Sequence, residues 1–189
     1  MLAGDYFVMS KIQSPLLDAI KKTSFFDVFS EEEKGRLVDR RGLFKRYEKE
    51  GLTIFSEGDK GDSMFVVLSG TINITKLVTP NNQERNTYLA KPKHTVIAQM
   101  ESGSVFGEIA MLTGQTRTTY AITGSPLVVI MEITQKGMYS FNLAIQNKFN
   151  KQLISTLISR LNTVNKEFVN LKEENLKIKK YCDDLKSQG

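Results

Sequence analysis

The chain has no tryptophan, one cysteine, one histidine and only 4 prolines in 189 residues. Each shortage removes a class of chemistry. The single cysteine, Cys182, excludes an intramolecular disulfide and a multi-cysteine metal centre, and makes a reducing cytoplasm the simplest expected location. The single histidine, His94, leaves no pair to hold zinc or iron. The strand-forming region offers no histidine beside a serine or an acid in a legible order, and no glycine-rich lysine loop of the phosphate-transfer type, so an enzyme has poor support. No apolar run approaches the roughly 20 residues that a bilayer span requires. The opening "MLAGDYFVMSKIQSP" lacks the basic segment, apolar core and small-residue cleavage site of a secretory signal.

What is present describes an ordinary globular chain: 40% hydrophobic residues, with phenylalanine leading the aromatics. The length suits one domain of roughly 100 to 150 residues plus an extension. A formal charge of +5 invites a nucleic-acid reading, but residues 1–133 carry 16 basic and 16 acidic side chains, so the excess lies in the tail. There it is interrupted by Glu167, Glu173, Glu174, Asp183 and Asp184 and forms no concentrated basic block.

Three kinds of sequence follow one another. Residues 1–41 form an N-terminal helical segment, in which Ser14–Pro15 opens one helix and Ser30 with Glu33 makes a capping box for a second. Residues 42–133 change to short alternating runs, among them "MFVVLSG", "INITKLV" and "PLVVIMEI", with glycine-rich turns between them. This pattern predicts a sandwich, barrel or jelly roll, with Gly58, Gly61 and Gly70 as turn residues of positive φ and residues 79–93 as a polar hairpin excursion. Residues 134–187 contain no proline and read as a short helix and a long one, with a break expected near "AIQNKFN".

Steps of three and four along the long helix pick out Ile154, Leu157, Leu161, Val164, Phe168, Leu171, Asn175, Ile178, Cys182 and Leu185, nine of them apolar. This is a coiled-coil seam with Asn175 at an a position, where it sets register in a parallel two-stranded coil. In a parallel pair Glu167 meets Lys172 of the mate and Glu174 meets Lys179, both opposite in sign. A homodimer through residues 150–187 is the expectation; packing of the stripe on its own domain is the alternative.

Functional attention falls on "FGEIAMLTGQTRTT", residues 106–119. Glu108 and Arg117 flank a segment able to make one helical turn, whose leading amides favour an anion. Arg117 adds a fork of donors, and Glu108 accepts from sugar-type hydroxyls. Two plainer readings stay open: Glu108 caps the turn, or it forms an ordinary ion pair with Arg117.

Taken together, "EGDKGDSMFVVLSGTINI" and "FGEIAMLTGQTRTTYAIT" resemble the cyclic nucleotide-binding domain family, the second being similar to its phosphate-binding cassette. The resemblance covers about residues 22–165 and implies a mainly β fold with flanking helices: an eight-stranded β-roll of the double-stranded jelly-roll type, followed by the long coiled-coil helix. It also implies site roles. Glu108 and the Gly107 backbone hold the ribose 2′-hydroxyl, and Arg117 the exocyclic phosphate oxygens. The amides of Ile109 and Ala110 and the hydroxyl and amide of Thr118 complete the cradle, with Thr119 beside it. Thr116 stands where many members have proline, and Thr119 where alanine is common; neither departure removes a charged contact. The purine is expected against the long helix, where Asn165 is the polar candidate, with Asn162 and Thr163 nearby. The order of roll and dimer helix resembles the bacterial catabolite-activator group, which favours cyclic AMP over cyclic GMP. That group carries a DNA-reading domain after the dimer helix; no such helix follows in this chain, so DNA binding is not expected of it. The function expected is a non-catalytic cyclic nucleotide sensor. A degenerate roll serving as a dimeric scaffold is the alternative.

Overall fold

The computed structural model of the protein describes residues 15–40, 42–78 and 93–187. The chain divides into two compact units, Met1–Lys148 and Phe149–Gly189.

The first unit begins with helix α1 (residues 15–22), a 3-10 turn at Ser24–Phe26 and helix α2 (Glu31–Val38). The capping box at α2 is present as expected: Glu33 N–H donates to Ser30 Oγ at 3.2 Å, and Ser30 N–H to Glu33 Oε2 at 2.7 Å. Two otherwise orphaned helix donors are thereby satisfied.

Eight strands follow among the described residues: β1 (Phe44–Tyr47), β2 (Thr53–Phe55), β3 (Ser63–Ser69), β4 (Ile72–Val78), β5 (Lys93–Met100), β6 (Val105–Phe106), β7 (Tyr120–Thr123) and β8 (Val128–Thr134). They pair antiparallel in two four-stranded sheets, ordered β1-β8-β3-β6 and β2-β7-β4-β5. Alternate residues of both sheets meet in one core. Phe65, Val67, Phe106, Val128 and Ile130 come from the first sheet, and Phe55, Ile72, Ile74 and Ala121 from the second. Each of these valine, isoleucine and phenylalanine side chains stabilises the fold by about 1.5–3 kcal/mol through apolar burial. Strand β3 is buried along both faces, which is why "MFVVL" runs apolar without alternation.

The two-residue strand β6 is too short to show a period and was not legible as a strand. Gly58 and Gly70 have φ of 90° and 80°, as expected of turn residues. Gly61 is a correction, because its φ is not positive. What it supplies is space: a Cβ there would lie 2.2 Å from Ala110 Cβ. The excursion expected at 79–93 falls outside the described residues, apart from Lys93 at the head of β5.

Helix α3 (Glu108–Thr113) lies between β6 and β7, and α4 (Gln135–Tyr139) and α5 (Leu143–Ser187) follow β8. The helix break stands at residues 140–142 rather than in "AIQNKFN", which is continuous helix. The reason is a cap: Asn142 Oδ1 accepts from Ile145 N–H at 2.9 Å and starts α5 there. Arg40, just past α2, donates to the Ser140 hydroxyl and carbonyl and packs 4.0 Å from the Phe141 ring centre. Lys148 pairs with Glu33. Both ends of α2 are thus tied to the segment 140–148.

In the second unit α5 continues to Ser187. Ile154, Leu161, Val164, Phe168, Leu171 and Ile178 are each more than half exposed in the single chain, although they form one stripe. Asn175 donates from Nδ2 to the Leu171 carbonyl at 3.0 Å.

Candidate functional site

The site is built at the junction of β6 and α3. Gly107 caps α3 in the left-handed region, with φ 74° and ψ −3°. A Cβ at Gly107 would also lie 2.8 Å from Arg117 Nη1 and 3.1 Å from the Phe65 ring. Both conformation and space therefore demand glycine. Glu108 begins the helix and is only 2% exposed; Ala110 is buried, while Ile109 faces outward. Gly114, also left-handed, ends α3 with its N–H on the Ala110 carbonyl at 2.9 Å.

The chain then returns along the loop before β3. Thr116 bridges Lys60, Arg117 N–H donates to the Asp59 carbonyl at 2.8 Å, and Gly58 N–H donates to the Arg117 carbonyl at 2.8 Å. Close packing of Gly61 on Ala110 brings this loop against α3. Thr116 is held here by pairing, without the ring restraint that proline would add.

Arg117 is 4% exposed. Its Nη1 donates to the Gly107 carbonyl at 2.5 Å, and its Nη2 to the Ser63 carbonyl at 2.7 Å and hydroxyl at 3.1 Å. The guanidinium carbon lies 4.4 Å from the centre of the Phe55 ring and 5.6 Å from that of Phe65. Phe55, Phe65 and Phe106 pack together beneath it, with ring centres 5.0–6.1 Å apart. Among the described residues, Nε is a buried polar atom with no hydrogen-bond partner.

Burial pushes the Arg117 pKa down, and the nearby carboxylates of Asp62, Glu132, Asp59 and Glu108 act against that shift. Arginine stays charged regardless. Its three side-chain hydrogen bonds all end on neutral oxygens, so a full positive charge is held under cover with its Nε donor unpaired among the described residues. A buried cation so placed is stabilised by an anion that reaches it.

The sequence-predicted residues Gly107, Glu108, Ile109, Ala110, Arg117, Thr118 and Thr119 thus share one short segment folded on itself. Thr118 is exposed and Thr119 half-buried. Asn165 lies on α5 in the second unit, where its side chain is exposed. The hydrogen bonds of the Arg117 side chain go to Gly107 and Ser63. The sequence reading missed Ser63, Phe55 and Phe65 as site residues; "EGDKGDSMF" entered it only through its turn glycines and the family resemblance. Among the described residues no cluster of three or more His, Cys, Asp or Glu is placed to hold a metal. No helix among them is long and apolar enough to cross a membrane.

Residues 45–141 match the model of the cyclic nucleotide-binding domain. Over 124 residues the chain is 27% identical to the cGMP-dependent protein kinase egl-4 of Caenorhabditis elegans, an alignment covering 66% of this chain and 14% of the kinase. The chain therefore spans a small part of that relative. Among solved structures, a cyclic nucleotide-binding domain from Methylobacillus flagellatus superposes with a TM-score of 0.59 at 24% identity, over 81% of this chain and 80% of the other. The catabolite activator protein of Thermus thermophilus gives 0.59 at 19% identity, over 78% and 62%. These two likenesses are of fold.

Proposed function

The chain belongs to the cyclic nucleotide-binding domain family, and from that premise we propose that it is a non-catalytic regulatory module whose cassette takes the cyclic phosphate of a cyclic nucleotide. The observation that carries the proposal is Arg117: a buried guanidinium, braced by neutral oxygens and an aromatic floor, with Nε unpaired.

In this reading the exocyclic phosphate oxygens approach Arg117, and the leading amides of α3, at Ile109 and Ala110, face the same charge. Thr118 supplies a hydroxyl and an amide at the rim, with Thr119 beside it. The Gly107 backbone and Glu108 take the ribose 2′-hydroxyl, a carboxylate being suited to accept from it.

Cyclic AMP is the first ligand proposed, on the order of roll and helix. Cyclic GMP is the second reading, favoured by the identity to a cGMP-dependent kinase. The exposed stripe of α5 pairs with a second copy in a parallel coiled coil through residues 150–187, and ligand binding biases the helix positions of both copies. Such coupling needs a difference in ligand affinity between those positions, worth typically about 1–3 kcal/mol.

Thermal unfolding with each nucleotide tests the ligand. Cyclic AMP or cyclic GMP at about one hundred times its Kd adds about 2.7 kcal/mol of stability. Open-chain 5′-AMP, with a differently shaped and more highly charged phosphate, is expected to add far less. No shift with either cyclic nucleotide supports a degenerate roll instead.

A further inference from the structure

We propose that Ser63 is a positioning residue for the ligand, its side-chain hydroxyl setting which edge of the Arg117 guanidinium is turned towards an anion. The proposal rests on the cyclic-nucleotide reading of the cassette.

Ser63 opens β3, 54 residues before Arg117, and is 4% exposed. It meets Arg117 twice on the same nitrogen, with its carbonyl 2.7 Å and its hydroxyl 3.1 Å from Nη2. The Gly107 carbonyl takes Nη1 at 2.5 Å. Three neutral oxygens therefore occupy the two terminal nitrogens and leave Nε as the nitrogen without a protein acceptor among the described residues. The Phe55 ring, 4.4 Å from the guanidinium carbon, limits movement towards the core. What remains free is a swing of the fork about its own axis, and two acceptors on Nη2 resist it better than one.

The carbonyl is a backbone group that any residue at this position supplies. The hydroxyl is what the serine side chain adds. A buried hydroxyl whose acceptor capacity is directed at a charged donor is worth more than one serving a neutral partner. Its loss leaves the fork with one acceptor at Nη2 and a second orientation to sample.

A cyclic phosphate has two exocyclic oxygens pointing in different directions, so orientation of the fork is readable chemically. The Rp and Sp phosphorothioate analogues of cyclic AMP each replace one of those oxygens by sulfur, a weaker acceptor. Ser63→Ala is expected to lower affinity for cyclic AMP about tenfold and to change the ratio of Rp to Sp affinities by about threefold or more. Ser63→Thr keeps the hydroxyl and is expected to hold the wild-type ratio. Unfolding temperatures are recorded for all three proteins, because a hydroxyl that merely supports the fold lowers stability and leaves the ratio untouched.

If wild type binds the nucleotide, Arg117→Ala does not, and Ser63→Ala keeps the wild-type ratio, the cassette reading stands and the role given to Ser63 is wrong. If wild type binds neither cyclic AMP nor cyclic GMP, the cassette reading itself fails and the proposal with it.

Discussion

Arg117 and Gly61 show how single residues decide whether the cassette exists. Arg117 braces two segments and is also the cation proposed to meet the phosphate, so its removal is felt twice. Arg117→Ala is predicted to weaken cyclic nucleotide binding at least about thirtyfold, the effect of truncating one partner of a buried hydrogen-bonded charge pair, and to lower the unfolding temperature because the Gly107 and Ser63 carbonyls lose a donor. Gly61→Ala drives a methyl into Ala110 and is predicted to cost about 1–3 kcal/mol, measured by denaturant unfolding. Glu108 and Arg117 were legible because a nine-residue spacing keeps them in one local segment. Ser63 and Phe55 were not, because they reach Arg117 only through strand pairing, and no local pattern in "EGDKGDSMF" announces a guanidinium partner.

Among the elements, α2 is the one whose electrostatics can be followed with pH. Glu33 closes the capping box and pairs with Lys148; the Lys148 hydrogen bond holds its carboxyl below the usual range. A carboxyl whose folded pKa is depressed contributes stability that is fully present above its unfolded value, about 4.3, and is lost as pH falls through the lower folded value. Wild type is therefore predicted to lose stability more steeply than Glu33→Gln when unfolding is followed from pH 5 downwards to about pH 3. Equal slopes would remove Glu33 from the account. The cap itself was readable, since Ser30 and Glu33 are three residues apart. The break between α4 and α5 was misplaced because asparagine sends two signals. Within α5 Asn147 and Asn150 are tolerated, whereas Asn142 spends its side chain on the Ile145 amide and starts the helix. Alternation in β4 and β8 was visible in the sequence; β6, with two residues, has no period to read.

At the scale of the whole molecule, two claims remain separable: that the roll holds a nucleotide and that α5 joins two copies. The second rests on Ile154, Leu161, Val164, Phe168, Leu171 and Ile178, exposed in the single chain, and on the signs of the flanking charges. Phe168→Glu places like charges at the seam and is predicted to shift the protein to monomer in sedimentation equilibrium. Asn175→Leu is predicted to raise the midpoint of dimer unfolding while relaxing register. A wild-type protein that stays monomeric at tens of micromolar would contradict the coiled coil without touching the cassette. The central claim is the nucleotide at Arg117, and isothermal titration of purified wild type and Arg117→Ala with cyclic AMP, then cyclic GMP, tests it most directly. Saturable binding by wild type that vanishes in Arg117→Ala is the predicted result. No binding of either nucleotide by folded wild type, or equal binding by both proteins, would contradict it.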